Sequence, residues 1–466
     1  MTMQSLAAKS MKITILGAAG VRTPLIMKAI LRRQKQLGLQ ELALMDIDND
    51  HLEIIGALTR PLESRSDIQF KITRTTDART ALQGADFVIS TFRVGGIQSR
   101  VIDERVPLEH GLLGQETTGP GGFALGMRSI PVLLEYIKQM RELCPDAWLI
   151  NFANPSGMLT EAAIQCGGWQ KTVGICDGPA EIQKVAAAAI QAPEEEVHLG
   201  YFGLNHLGWV RSVIYRQKDY LPQLIEMIRA SSGIPGLPFE PQLLTWLGMI
   251  PNEYLYFYYS SHQAVQNILK AGQSRGENVA ALNLELFTSL RKLLDEENLV
   301  GMQMLYENFL TRRMQSLMVN ETGTDHNLDQ FKPGLLKSLE SEGYARVALD
   351  LIESLVGSGA REMILNILNQ SSVNGMSERD VVEIPARISK NSIKPLNVGD
   401  IPDHCLGLMK QVKEYERLTI AAAVQGSYTK ALMALTIHPL VNDFSLAKKL
   451  LDEYIQQHGV FFPALH

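Results

Sequence analysis

Through its first 200 residues the chain repeats one local pattern: a short β-branched run that ends in small residues and leads into a helical pattern. The first instance is K-I-T-I-L-G-A-A-G-V-R-T-P, residues 12–24, a strand and then a turn, with Thr23 placed to cap the next helix and Pro24 to open it. Leu25, Ile26, Ala29, Ile30 and Leu37 give that helix an apolar face. E-L-A-L-M-D-I-D forms a second strand ending at Asp46, and strand-like runs recur at 69–73, 86–91, 147–151 and 171–175. Parallel neighbours need crossover helices, so this alternation predicts a doubly wound sheet. The expected fold is therefore α/β. A Rossmann-like doubly wound domain spans residues 1–200, and a mainly helical α+β domain spans 201–466. The second part carries amphipathic patterns at 276–294, 299–318, 345–355 and 406–435, short strands near 381–388, and surface connections at 235–241 and 371–377.

Composition narrows the function classes. Hydrophobic residues make up 45% and charged residues 20% of the 466, enough apolar surface to offset chain entropy, which excludes extended disorder. The net charge of -6 is spread without basic runs, so nucleic acid is not an expected partner. Cys144, Cys166, Cys176 and Cys405 form no C-x-x-C pair, which argues against a disulfide framework and for a reducing cytoplasm. No apolar run reaches the roughly 18–20 residues that cross a bilayer, so no membrane association is expected. The stretch 13–21 follows Lys9 and Lys12 like a signal-peptide core, but Gly17 and Gly20 interrupt it and Arg22 closes it, so it reads as a buried strand.

Gly17 and Gly20, with Val21 after them, stand where a bare main chain can approach a pyrophosphate at a helix amino terminus. The strict G-x-G-x-x-G is absent, since position 19 is Ala and position 22 is Arg, and alone the turn reads equally as a tight connection. Asp46 adds a carboxylate suited to ribose hydroxyls and hostile to a 2′-phosphate, which favours NAD over NADP, although it also suits a plain turn. The fourth strand runs into T-F-R-V-G-G, where Gly95 allows close approach and Arg93 is a candidate for an anion or a surface salt bridge. The fifth runs into N-F-A-N-P-S-G, where Asn154 is either a ligand-binding amide or an Asx turn.

Cys176, in I-C-D-G-P, and His206, in G-L-N-H-L-G, follow strand-like runs beside Asp177 and Asn205. A thiolate and an imidazole there can share a divalent ion and leave positions for substrate oxygens; singly, each reads as an ordinary buried residue. N-E-Y-L-Y-F-Y-Y places Tyr254, Tyr256, Tyr258 and Tyr259 together in a chain only 7% aromatic. Core packing explains such a cluster, but a tyrosine beside a cation can also act as a base.

Together these residues resemble glycoside hydrolase family 4, the NAD- and manganese-dependent glycosidases, and most nearly its 6-phospho-β-glucosidases. The resemblance covers nearly the whole chain. Its motifs are L-G-A-A-G-V-R-T-P, F-R-V-G-G, G-Q-E-T-T-G-P-G-G-F at 114–123, I-N-F-A-N-P-S-G, I-C-D-G-P, G-L-N-H, N-E-Y-L-Y-F-Y-Y, Y-E-R-L-T-I and I-H-P-L. It implies that Cys176 and His206 ligate Mn²⁺, that Asn154 with Arg93 and Asn205 holds the sugar, and that Tyr254 removes the C2 proton. It also implies transient oxidation at C3, elimination of the glycosidic oxygen, addition of water and return of the hydride, an exception to two-carboxylate hydrolysis. The expected partner is a small-molecule glycoside, and the expected assembly a homodimer or homotetramer. Asp177 stands where β-specific members carry Asn and α-specific ones Asp, which suits a general acid. A glycine-rich R-G-G-x-x-Y expected near 337–344 reads S-E-G-Y, with Glu342 where a small residue is usual.

The alternatives are an α-specific or non-phosphorylated glycosidase of the family, a malate- or lactate-type NAD-dependent dehydrogenase, or an inactive sensor. A dehydrogenase shares the nucleotide half, accumulates NADH with substrate, and leaves Cys176 and His206 without a purpose.

Overall fold

The computed structural model describes residues 11–64, 67–230, 238–323 and 343–466. The connection at 235–241 falls partly outside the described residues, as do Lys9 and the S-E-G-Y segment through Glu342.

Six strands form the expected sheet: β1 (Met11–Leu16), β2 (Leu39–Met45), β3 (Lys71–Thr75), β4 (Phe87–Ser90), β5 (Trp148–Asn151) and β6 (Thr172–Gly174). They pair in parallel in the order 3-2-1-4-5-6, so the direction of winding reverses between β1 and β4. Ligands of such sheets bind outside the carboxyl ends of the strands at that reversal. The inner strands are largely apolar because helices cover both faces, with Ile13, Ile15, Val88, Leu149 and Val173 fully buried, whereas the edge strand β3, K-I-T-R-T, is polar and buries none of its residues. Burying one such side chain contributes about 1.5–3 kcal/mol.

A second, antiparallel sheet follows, built from β7 (His198–Leu204), β8 (Leu207–Tyr215), β9 (Lys218–Asp219) and β10 (Ile250–Pro251). Helices then run over Arg275–Asp295 and Leu299–Gln315. Their apolar faces, with Leu286, Leu290, Met302 and Tyr306, pack on Val21, Ile54, Ile55 and Leu58 of the nucleotide half. Three late strands, β11 (Arg361–Leu368), β12 (Val381–Ser389) and β13 (Ser392–Pro395), extend the first sheet beyond β6, where Asn366 pairs with Gly174. They bring residues from the end of the chain back to the site.

Four local expectations are revised. Thr23 lies inside the helix Thr23–Leu37 and no side chain caps it; Arg22 occupies the cap position. The strand expected at 69–73 lies at Lys71–Thr75. The pattern at 406–435 is two helices, Asp403–Gln425 and Tyr428–Ile437, separated where Gly426 takes φ 63°. The connection at 371–377 is not wholly superficial, since Val373 within it is fully buried.

Candidate active site

The turn after β1 touches the loop after β4. Gly17 has φ 95°, and a Cβ there would lie 2.5 Å from the Phe92 nitrogen, so only glycine lets the two loops meet. Gly20 is exposed and leaves the amino end of the next helix open, while Val21 is buried beneath it. Asp46 Oδ2 accepts from Ala19 N at 2.8 Å and Oδ1 accepts from Asp48 N at 3.2 Å, which orients the carboxylate and leaves it lone pairs for ribose hydroxyls. Gly95 takes φ 78°, and a Cβ there would come within 1.9 Å of Ser99 Oγ. These features fit a dinucleotide: bare backbone at the reversal point, a helix amino terminus and an oriented acid.

His206 occupies the tip of the β7–β8 hairpin, which Leu204 and Leu207 close, and it has φ 63°. The left-handed region is sparsely used by non-glycine residues but is among those that histidine adopts more readily, and here it forms the hairpin turn. Thr117 Oγ1 donates to Gln115 Oε1 at 3.0 Å, so at the 2.8 Å contact with His206 Nδ1 it accepts. The neutral ring then carries its proton on Nδ1 and presents bare Nε2, the form that binds a metal. Burial lowers the His206 pKa to about 4, so the ring stays neutral through ordinary pH. On one face it stacks against Tyr254, with ring centroids 3.7 Å apart and planes 3° from parallel.

Cys176 follows β6, with Sγ 3.9 Å from Asp177 Oδ1. Burial, with the charges of Glu383 and Asp177, pushes its thiol well above the usual range. Burial, with Glu253 and then Cys176, does the same to Tyr254. Burial, with Asp177 and Glu383, pushes Glu253 up to about 7. A divalent cation would relieve this crowding of acidic groups and draw the proton from sulfur. Among the described residues no three His, Cys, Asp or Glu side chains close around an ion. A thiol and an imidazole are nevertheless a fitting donor pair for a transition metal whose other ligands come from substrate or water.

Of the arginine cluster beside these groups, sequence reasoning assigned a role to Arg93 alone. Glu116 receives Arg93 Nη2 at 2.5 Å and lies 3.1 Å from Arg100 Nη1. Burial works to raise its pKa, yet Arg100, Arg93, Arg275 and Arg313 hold it far below the carboxylate range. Burial and the neighbouring Arg22, Arg100 and Arg275 lower Arg313 to about 9. Arg93 Nη1 is buried with no hydrogen-bond partner among the described residues. An excess of buried positive charge is suited to a dianion such as a phosphate. Glu116 ties the cluster to the rest of the site, because its charge reaches both His206 and Tyr254.

The residues singled out in the sequence thus fall into two linked groups, Gly17, Gly20, Val21, Asp46, Arg93 and Gly95 at the sheet reversal and Cys176, Asp177, His206 and Tyr254 beyond it. Asn154 is half-buried and precedes Pro155 through a cis bond. Asn205 serves the framework: Oδ1 accepts from Ser156 N at 3.1 Å and Nδ2 donates to Glu383 Oε1 at 3.3 Å. Of the other tyrosines, Tyr256 bonds the Glu321 carbonyl and Tyr259 accepts from Trp209, which is packing. Gln115, Glu116, Thr117, Glu253 and Glu383 were not assigned roles. The G-Q-E-T-T-G motif was visible in the sequence, but its pairing with His206 and the arginines was not.

Comparison with known proteins agrees across the chain. The model described as family 4 glycosyl hydrolase matches residues 12–192, and that of the family's C-terminal domain matches 201–441. A probable 6-phospho-beta-glucosidase of Bacillus subtilis (strain 168) is 34% identical over 463 residues, with 98% of each chain covered. A 6-phospho-beta-glucosidase of Escherichia coli (strain K12) is 28% identical, covering 98% of this chain and 97% of the relative. Among solved structures, the 6-phospho-beta glucosidase of Thermotoga maritima with NAD and glucose-6-phosphate superposes with a TM-score of 0.84 at 28% identity, covering 98% of this chain and 100% of that one. A 6-phospho-alpha-glucosidase from gut microorganisms, in complex with NAD and Mn2+, gives a TM-score of 0.82 at 25% identity over 98% and 100% of the two chains.

Proposed function

As a member of glycosyl hydrolase family 4 the chain is a glycoside hydrolase, and we propose that it cleaves 6-phospho-glucosides, β-linked ones foremost, with NAD and Mn²⁺ as cofactors. The observation that carries this reading is that His206 and Tyr254 stack while Glu116, whose charge reaches both, is bound by Arg93 of the nucleotide crevice.

In this reading Gly17, Gly20, Val21, Asp46 and Gly95 receive NAD, and Cys176 with His206 Nε2 holds Mn²⁺. When bound, the two cofactors supply a reversible hydride acceptor and a cation that polarises sugar oxygens. Arg93 and the arginines around Glu116 take the 6-phosphate, while Asn154 and the remaining N–H of Asn205 hold sugar hydroxyls. Tyr254 takes the C2 proton through its hydroxyl. Burial beside Glu253 opposes ionisation of that hydroxyl, so Tyr254 becomes a base only with a cation next to it.

Asp177, next to Cys176, is the group proposed to protonate the leaving oxygen. Its identity also favours a second reading, α-linked substrates, since the family resemblance leads one to expect Asp at this place in α-specific members. A panel of aryl α- and β-glucosides, with and without 6-phosphate, decides among these. The reading requires that release of the aryl group from a 6-phosphorylated member far exceed release from its unphosphorylated counterpart, with NAD⁺ and Mn²⁺ present and without net NADH. Net NADH formation would instead indicate a dehydrogenase.

Among the described residues no helix is long and apolar enough to cross a membrane. The four cysteines are all free, which supports a reducing cytoplasm. Leu284, Val300 and Met304 are about 70% exposed on neighbouring helices and suit a subunit contact, consistent with a homodimer or homotetramer; light scattering tests this.

A further inference from the structure

Glu383, the third residue of β12, is 1% exposed, and three side chains donate to its carboxylate. Tyr201 Oη donates to Oε2 at 2.8 Å, and Asn205 Nδ2 and Asn366 Nδ2 donate to Oε1 at 3.3 and 2.9 Å. Two of these donors lead to the reactive groups. Asn205 immediately precedes His206, and its Oδ1 fixes Ser156 N in the turn after Asn154. Tyr201 Oη also accepts from Asn252 Nδ2 at 3.3 Å, and Asn252 Oδ1 caps the turn Glu253–Leu255 by accepting from Leu255 N at 3.3 Å. Tyr254 is the middle residue of that turn. The third donor, Asn366 on β11, anchors the carboxylate to the sheet where β11 meets β6, two residues before Cys176.

An ionised carboxylate accepts from several donors and offers none, so it alone suits three convergent N–H and O–H groups in a buried place. A glutamine of the same shape turns an NH2 toward one of them and leaves at least one bond unmade. A hub of this kind holds groups from distant parts of the chain in one arrangement.

We propose that Glu383 is a positioning residue for the reaction, with one arm through Asn205 setting the hairpin tip that presents His206 and another through Tyr201 and Asn252 setting the turn that presents Tyr254. This rests on the roles given above to His206 and Tyr254. The two arms are separable. Tyr201→Phe cuts only the arm to Tyr254, whereas Glu383→Gln disturbs both.

The test measures Mn²⁺ affinity of the NAD-loaded protein by electron paramagnetic resonance, together with kcat and KM on an aryl 6-phospho-glucoside. Removing such an outer partner of a metal site costs about 10–100-fold. Glu383→Gln should weaken Mn²⁺ binding and lower kcat by factors in that range. Tyr201→Phe should lower kcat similarly while Mn²⁺ affinity and KM stay within about twofold of wild type, a split that general loosening of the fold does not produce. The inference is overturned if Tyr201→Phe retains wild-type kcat, or weakens Mn²⁺ binding as much as it lowers kcat. It is also overturned if folded Glu383→Gln binds Mn²⁺ normally. If Glu383→Gln does not fold, Tyr201→Phe decides alone. A wild-type protein that binds Mn²⁺ but hydrolyses no 6-phospho-glucoside would count against the proposed substrate instead, and the Mn²⁺ measurement on Glu383→Gln would still decide the hub.

Discussion

The rings of Tyr254 and His206 lie face to face, 3.7 Å between centroids and 3° from parallel, which places the proposed base against a proposed metal ligand. Tyr254→Phe keeps the ring and its stack and removes only the hydroxyl. Proton transfer by a positioned side chain contributes about 10²–10⁴-fold, so kcat should fall by that factor. NAD⁺ affinity, measured by fluorescence titration, should stay within about twofold. Unchanged kcat would remove Tyr254 from the mechanism.

Thr117 offers a cleaner probe of the imidazole, because its hydroxyl accepts from His206 Nδ1 and so fixes the tautomer. Thr117→Val preserves shape and deletes the acceptor, and Mn²⁺ affinity should drop about 10–100-fold. Thr117→Ser should restore it. Equal Mn²⁺ affinities in all three proteins, measured by calorimetry, would show that Thr117 does not set the ring.

Phosphate recognition is tested at Arg93, whose Nη2 pairs with Glu116 while Nη1 is buried without a partner among the described residues. A charged hydrogen bond contributes about 1.5–3 kcal/mol, or roughly 10–100-fold in affinity. Arg93→Gln should reduce kcat/KM for the 6-phosphorylated substrate by that factor and leave any residual turnover of the unphosphorylated glucoside unchanged. A parallel loss on both substrates would assign Arg93 to the cofactor alone.

The buried titratable groups set a definite pH response of the metal-free protein. His438 is 1% exposed, its Nδ1 accepts from Leu440 N, and burial lowers its pKa to about 3. The unfolded chain therefore takes up a proton near pH 6.5 that the folded one refuses, and stability is lost as pH falls from about 6.5 towards 3. Glu253 and Glu383 act oppositely. Burial raises them to about 7 and about 6, so the folded chain binds protons first and gains stability on acidification down to the ordinary glutamate value of 4.5. The contributions offset one another between pH 7 and 4.5, and below 4.5 the histidine effect continues unopposed by these two. Thermal melts should show a shallow dependence above pH 4.5 and a steep fall below it, with the acidic limb flattened in His438→Gln. Equal acidic limbs in the two proteins would contradict this assignment.

Much of this arrangement is legible in the sequence, for physical reasons. Parallel strands covered on both faces must be apolar along their length, so β1, β2, β4, β5 and β6 stand out as runs closed by turn residues. Candidate groups at their carboxyl ends follow, because topology places those ends together. The strand β11, R-E-M-I-L-N-I-L, was not picked out, since a short apolar run does not distinguish a strand from a buried helical segment. Glu383 gave no signal at all: its bonds to Tyr201 and Asn205 join residues 182 and 178 positions apart, and nothing local marks a carboxylate that accepts from a distance. Glu116 lay inside a motif already noted, but its role depends on arginines drawn from four separate elements.

The central claim is that cleavage proceeds through loss of the C2 hydrogen of the sugar, assisted by NAD and a metal ion held at Cys176 and His206. Hydrolysis of an aryl 6-phospho-glucoside in D2O with NAD⁺ and Mn²⁺ examines it directly, with the released glucose 6-phosphate analysed by mass spectrometry and NMR. The account predicts one deuterium at C2 and no hydrolysis after EDTA treatment. A product with hydrogen retained at C2, formed equally well without NAD⁺ or metal, would contradict it.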